Sequence, residues 1–311
     1  ANAPSGNDTI TFQFGGASNF GGAVTINLSG PLPDLSTDQT IEGPGGPADL
    51  IIRRDSGGDY GIFNVTGGAT VAIRNVTATN GLATLGFGGG GGGGLRIADL
   101  STANVTNAIF NANSGPLGGG SYVESGSTLN LTGSTVSNNT GTSQGGGILG
   151  FGATITLTDS TVSGNTTPNN GGGIYTRQLN ATPAVTTLTH STVSGNNAGG
   201  SGGGIFAYSD GGATTTLTML RSTITGNTVT RTGGAFIQGG GISFNSNTPE
   251  NVTNVVLGTI TESTISNNQG LNNAPGGGLG IFRSTVDISR STISGNTSTQ
   301  GSAINNQGGP I

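Results

Sequence analysis

The chain has 311 residues, of which 63 are glycine and only 7% are charged, so it is long enough for two ordinary domains but has the composition of a low-complexity polymer. Its net charge of -5 combines 14 acidic residues with nine scattered arginines and no lysine, and the lack of a basic patch excludes a nucleic-acid partner. No stretch approaches the ~18 consecutive apolar residues of a transmembrane helix, and the lack of cysteine leaves the redox compartment open, because a repeat ladder can stabilise a secreted protein without disulfides.

In chain order, the opening Ala-Asn-Ala, with no Met, fits a mature protein from which a signal peptide has been removed. Residues 1–60 read as N-terminal coils with a capping region, in which Pro31, Pro33, Pro44 and Pro47 bound short apolar strands at 24–28 and 50–53. Residues 61–311 read as one repeat region without a linker, hence a single elongated domain. The glycine run 88–94 is a tight corner where bulky side chains would meet the next coil. A phosphate-binding loop would need a helix N-terminus after it and usually a lysine, and the chain supplies neither.

From Ser134 onward one hexapeptide recurs: Ser-Thr, then Val or Ile, then Ser or Thr, then Gly or Asn, then Asn. Its copies begin at Ser134, Ser160, Ser191, Ser222, Ser263 and Ser291, separated by 26, 31, 31, 41 and 28 residues. Between copies lie glycine triplets at 145–147, 171–173, 202–204, 239–241 and 276–278, each followed by Ile or Leu. A period of 20–50 residues marks a stacked architecture whose units cannot bury a core alone. Val, Ile and Leu recur at fixed offsets, which argues against disorder.

In the unit 171–196, the triplet turns the backbone, Ile174 begins a short strand, Val185 to Thr189 alternates as a strand does, and Ser191 to Ser194 makes a third. No segment has helical periodicity with caps, and β-branched residues dominate. The expectation is an all-β, right-handed parallel β-helix of about ten or eleven coils, roughly 50 Å long. Its interior holds one column of Val136, Val162, Val193, Ile224, Ile265 and Ile293, and a second of Leu131, Leu157, Leu188, Met219, Ile260 and Ile288. The column Asn139, Asn165, Asn196, Asn227, Asn268 and Asn296 is a structural ladder at a corner, its amides bonding along the stack.

Phe110-Asn111-Ala112-Asn113 has the form F-x-x-N, and Val162 to Asn165 with its siblings repeats it with Val or Ile first. Paired with Gly-Gly-x-Ile elements, these resemble the repeats of chlamydial polymorphic outer-membrane proteins, which many secreted bacterial β-helix proteins share. The segments 8–12 and 41–45 resemble the opening coils of that wider group. The resemblance covers nearly the whole chain and implies a β-helix that is exported. The chain departs from it in carrying Gly-Gly-Gly in place of Gly-Gly-Ala.

Four features are candidates for function. The corner column Asn75, Asn107, Gly133, Asp159, His190, Arg221, Glu262 and Arg290 mostly alternates in charge at its far end and carries the only histidine. It reads as a surface ladder that fixes register, the alternative being the carboxylates and arginines of a polysaccharide lyase or hydrolase. Thr135/Ser137, Thr161/Ser163, Thr192/Ser194, Thr223/Thr225, Thr264/Ser266 and Thr292/Ser294 face outward like a partial ice-binding array, although only one pair is Thr in both columns. Tyr122, Leu149, Tyr175 and Phe206 fall where alternation turns them outward, which makes Tyr122, Tyr175 and Phe206 candidates for stacking on sugar rings or a protein partner. Loops 175–183, 206–213 and 244–255 lengthen beside that stripe. Finally, the strand edges at both ends invite head-to-tail contact between copies, with 10–14 as the docking strand and the C-terminal residues Gly308, Gly309, Pro310 and Ile311 forming no cap. Together these predict a structural or adhesive solenoid, extracellular or on a bacterial surface, whose partners are surface glycans or copies of itself. It needs no catalytic residues, cofactor or metal. Polysaccharide binding or degradation and ice binding are the alternatives.

Overall fold

A computed structural model describes residues 8–11, 24–84, 91–230, 239–247, 256–300 and 302–308. Every regular element among them is a β-strand, and every paired strand runs parallel to its neighbours on the coils before and after it. The chain winds as a right-handed parallel β-helix, the hand that parallel crossovers take. None of the described residues lies in a helix long and apolar enough to cross a membrane.

One coil shows why the sequence folds this way. Ile174–Arg177 belongs to sheet I, Ala184–Thr189 to sheet II, Thr192–Ser194 to sheet III and Asn197–Ala198 to sheet IV. The four sheets hold nine, ten, ten and seven described strands respectively. A fourth strand per coil is a correction to the three expected. Most sheet IV strands are two residues long, too short to show alternation, and only stacking on the same two residues of the next coil makes them strands.

The hexapeptide is one strand bracketed by two corner ladders. In its third copy, Val193 points inward and is fully buried, while Thr192 and Ser194 face out half-buried. The first residue, Ser191, turns in: its N–H donates to Ser222 Oγ at 3.1 Å, and its own Oγ donates to the Thr189 carbonyl at 2.9 Å. The same bonds recur from Ser134 to Ser291. The last residue, Asn196, donates from Nδ2 to Asn227 Oδ1 at 2.9 Å and to the Val162 carbonyl at 3.0 Å, while its Oδ1 accepts from the N–H and Nδ2 of Asn165. This Asn ladder runs from Asn113 through Asn139, Asn165, Asn196, Asn227 and Asn268 to Asn296. It therefore satisfies both the amides and the corner backbone that a buried turn would otherwise leave unpaired.

Both aliphatic columns face a single dry core, in register from coil to coil, with only Ile288 and Ile293 at the C-terminal end partly open. The glycine triplet fits where backbones crowd. Gly171 has φ +70, and a Cβ on Gly172 would lie 2.3 Å from the Gly203 carbonyl oxygen of the next coil, a contact no side chain survives. Of the run 88–94, residues 91–94 are described and the rest lie outside the described residues. Strands Val24–Leu28 and Leu50–Arg54 pair with each other as the first rungs of sheet III. The proposed docking segment is in part already used: Asp8–Thr11 pairs with Gln39–Glu42 of its own chain as the first strand of sheet II, and 12–14 lie outside the described residues.

Candidate functional site

The charged corner column takes a left-handed conformation at each rung, with φ of 49, 49, 48, 49 and 47 at Asp159, His190, Arg221, Glu262 and Arg290. This is the turn from sheet II into sheet III, and it lets the following Ser swing its Oγ inward. Non-glycine residues there carry a cost of about 1 kcal/mol. Arg221 Nε lies 2.7 Å from Glu262 Oε2, and Arg290 Nη2 lies 2.9 Å from Glu262 Oε1. His190 Nδ1 stands 3.8 Å from Asp159 Oδ1, and both side chains are about half exposed or more, at 47% and 64%. Among the described residues no three His, Cys, Asp or Glu side chains converge as metal ligands would.

The outward hydroxyls of sheet III are half-buried as Thr/Ser pairs. Sheet II carries a fuller array that sequence reasoning missed. Thr156, Thr187, Thr218 and Thr259 stand in register on successive rungs, flanked by Thr132, Thr158 and Thr189 on one side and Thr102, Thr128 and Thr154 on the other. The signal was present in Thr154-Ile155-Thr156-Leu157-Thr158, where alternation puts Thr on one face throughout.

The most built surface is the outer face of sheet I. Strand alternation there turns Ile148, Ile174 and Ile205 inward and Leu149, Tyr175 and Phe206 outward. Tyr122, Leu149, Tyr175, Phe206 and Tyr208 make a second apolar cluster, separate from the coil interior, and are 9%, 0%, 2%, 1% and 8% exposed. The stripe is thus covered, which alternation alone could not show. Ring centroids run Tyr122 to Phe151 at 6.1 Å, Phe151 to Tyr175 at 5.8 Å, Tyr175 to Phe206 at 5.1 Å and Phe206 to Tyr208 at 5.7 Å. Part of the cover is the preceding glycine corner: Gly91 lies against the Tyr122 ring and Gly171 against Tyr175.

Polar groups flank this column at both ends. Toward the N-terminus, Arg96 pairs with Glu124 at 2.6 Å and donates to Asn64 Oδ1 at 3.0 Å, while Asn64 Nδ2 donates to Asp34. Asp34, Asn64 and Arg96 border a hollow of about 490 Å³, with Tyr60, Phe63 and Leu32 among its apolar walls. Toward the C-terminus, the Arg177 guanidinium lies 5.9 Å from the Phe151 centroid and 5.3 Å from that of Tyr208, and pairs with Asp210, which also accepts from Gln178 Nε2. Burial pushes the Tyr122 phenol up to about 12 and Tyr175 higher still, so these rings stay neutral through the physiological range. Arg177, Asp210 and Gln178 escaped sequence reasoning, although Arg177 follows Tyr175 by two and so shares its face. Of loop 244–255, only the residues to 247 are described.

No protein-family model matches the sequence, and no curated protein is similar to it. Among solved structures the chain is similar to pectate lyase Pel9A, at 12% identity and a TM-score of 0.44, over 97% of this chain and 69% of that one. So remote a likeness says nothing of substrate or chemistry.

Proposed function

We propose that this protein is a non-catalytic adhesive solenoid of a bacterial surface or matrix, and that it holds polysaccharide along the outer face of sheet I. One observation carries the reading: an open hollow of about 490 Å³, bordered by Asp34, Asn64 and Arg96, at the N-terminal end of a packed aromatic column outside the coil. The hollow's apolar walls, Tyr60, Phe63 and Leu32, beside the planar hydrogen-bonding groups of Asn64 and Arg96 make a surface that a sugar ring fits. The repeats' resemblance to polymorphic outer-membrane proteins supports the surface location. The test is affinity electrophoresis of the purified protein through gels containing soluble polysaccharides, with a parallel assay for new reducing ends or unsaturated products. Retardation without product is expected; product release would replace this reading with an enzyme.

Head-to-tail assembly belongs to the same reading. A hollow of about 320 Å³ lined by Ile10, Ile26, Leu28, Leu32, Leu35 and Ile41 opens at the N-terminal end, and Ile288, Ile293 and Ile304 are only partly buried at the other. Two apolar ends on one rod favour contacts that propagate. Sedimentation that stays monomeric at high concentration would remove this part and leave the glycan face standing. A second reading, ice binding, is favoured by the in-register Thr columns of sheet II. Thermal hysteresis in the wild type, lost in Thr187→Glu, would establish it.

A further inference from the structure

The two ends of the solenoid are complementary steps of one helix. Within a coil the chain runs from sheet I through II and III to IV. The first described strands, Asp8–Thr11 and Val24–Leu28, are the outermost rungs of sheets II and III, and the last, Ser302–Gln307, is the outermost rung of sheet I. The C-terminal end therefore leaves off one sheet before the sheet on which the N-terminal end starts. Among the described residues no other strand pairs with the outer edges of Asp8–Thr11 and Val24–Leu28, nor with those of Thr285–Ser289 and Thr292–Ser294 at the far end of the same two sheets.

We infer that copies of this chain stack end to end in phase, the last coil of one supplying the missing rung beside Asp8–Thr11 and Val24–Leu28 of the next. The inference rests on the head-to-tail reading above and adds which strands meet and in what register. Followed rung by rung, Ile10 heads the inward column of sheet II that ends at Ile288. Ile26 likewise heads the column of sheet III that ends at Ile293. Ile10 is 45% exposed and the other three are partly open, and Ile10 and Ile26 line the hollow of about 320 Å³ that an arriving coil would close. In-phase stacking sets Ile288 on Ile10 and Ile293 on Ile26, and outside them Asp287 on Thr9 and Thr292 on Thr25, with no like charges opposed. Sheet I adds less, since Asn306 comes opposite Leu35.

Charge sets the direction. Up to residue 52 the chain carries Asp8, Asp34, Asp38, Glu42 and Asp49 and no basic residue, which accounts for the whole net charge of -5, because the other nine acidic residues balance the nine arginines. After Glu262 it carries Arg283 and Arg290 against Asp287 alone. Two acidic ends repel, whereas unlike ends attract, and a joint between unlike ends propagates instead of closing.

The chain has no cysteine, so an engineered pair reports a single contact. Thr25 and Thr292 are exposed, and the in-phase joint brings their Cα atoms to ~4.8 Å, within the span of a disulfide. Asn27, two residues along the same strand, would stand about 8 Å from Thr292, beyond that span. Under mild oxidation Thr25→Cys/Thr292→Cys should give a ladder of covalent dimers, trimers and longer species that reductant dissolves, while Asn27→Cys/Thr292→Cys stays monomeric. Ile10→Asp should melt as wild type does and weaken self-association in sedimentation about tenfold or more. A ladder from the control pair, covalent dimers from Thr25→Cys alone, or association unchanged in Ile10→Asp would overturn the in-phase joint. So would self-association of wild type without a ladder from Thr25→Cys/Thr292→Cys, and each of these leaves self-assembly standing. Wild type that stays monomeric at high concentration would remove the head-to-tail reading itself.

Discussion

Asn196 and Asn245 are both buried amides on one solenoid, 1% and 0% exposed, yet the first makes four side-chain hydrogen bonds and the second none. Asn196 stands at the corner between sheets III and IV, where every coil presents the same residue and each amide completes its neighbours. Asn245 stands on the outer face of sheet I, where its column runs Phe151, Arg177, Tyr208, Asn245 and Phe282, so that no rung repeats the residue of its neighbour. In a molecule built of near-identical rungs, a polar group that repeats is satisfied by its own copies. One that does not repeat must find its partner elsewhere.

The comparison breaks most severely if the ladder's surroundings are disturbed. Val193→Asp places a charge among stacked aliphatics beside Asn196 and should cost about 4–5 kcal/mol, read as loss of cooperative melting or of soluble protein. A variant that melts like wild type would mean that the inward face of sheet III has been misassigned. Asn196→Ala comes next. It strands the N–H and Nδ2 of Asn165 and the Val162 carbonyl, so about 2–4 kcal/mol should be lost in denaturant titration. The terminal Asn296→Ala should cost less, since that residue is only partly buried and water can reach the groups it leaves. Asn245→Leu should fall on the other side of zero, with a gain of about 1 kcal/mol on removing two unpaired polar atoms. Loss of stability in that variant comparable to Asn196→Ala would erase the distinction between the two amides.

Much of this was legible in the sequence because repetition exposes it. The Val, Leu and Asn columns are the same residue types at the same offset in six copies, and a stack of parallel strands is the arrangement that rewards such copying. The Ser ladder was in plain view as the hexapeptide's first residue, but a serine before a strand reads equally well as solvated, and only the left-handed corner before it turns Oγ inward. The two-residue strands of sheet IV carry no alternation to read. The burial of Tyr122 and Tyr175 draws on cover from glycine corners of the chain itself, which alternation does not report. Asn245 was invisible for the opposite reason: averaging over copies hides the one residue that departs from them.

The smallest expected effect lies at the exposed corner, where repetition is loosest. Hydrogen bonds from Arg221, then from Arg290, hold the Glu262 carboxyl below its ordinary value of 4.5. A carboxyl lowered in the folded state stabilises the fold above its unfolded value and loses that contribution as pH falls through the folded one. Wild type should therefore show a slight fall in melting temperature as the pH drops below the carboxylate range, and Glu262→Gln should lack that component while matching the remaining pH profile. Gln is the right probe because Glu262 sits at φ 49, where glycine would relieve backbone strain and confound the comparison. The difference between the two proteins should shrink in high salt, as exposed pairs do. Identical pH profiles would mean that Arg221, Glu262 and Arg290 share a surface without coupling to folding, leaving register to the buried Ser and Asn ladders alone.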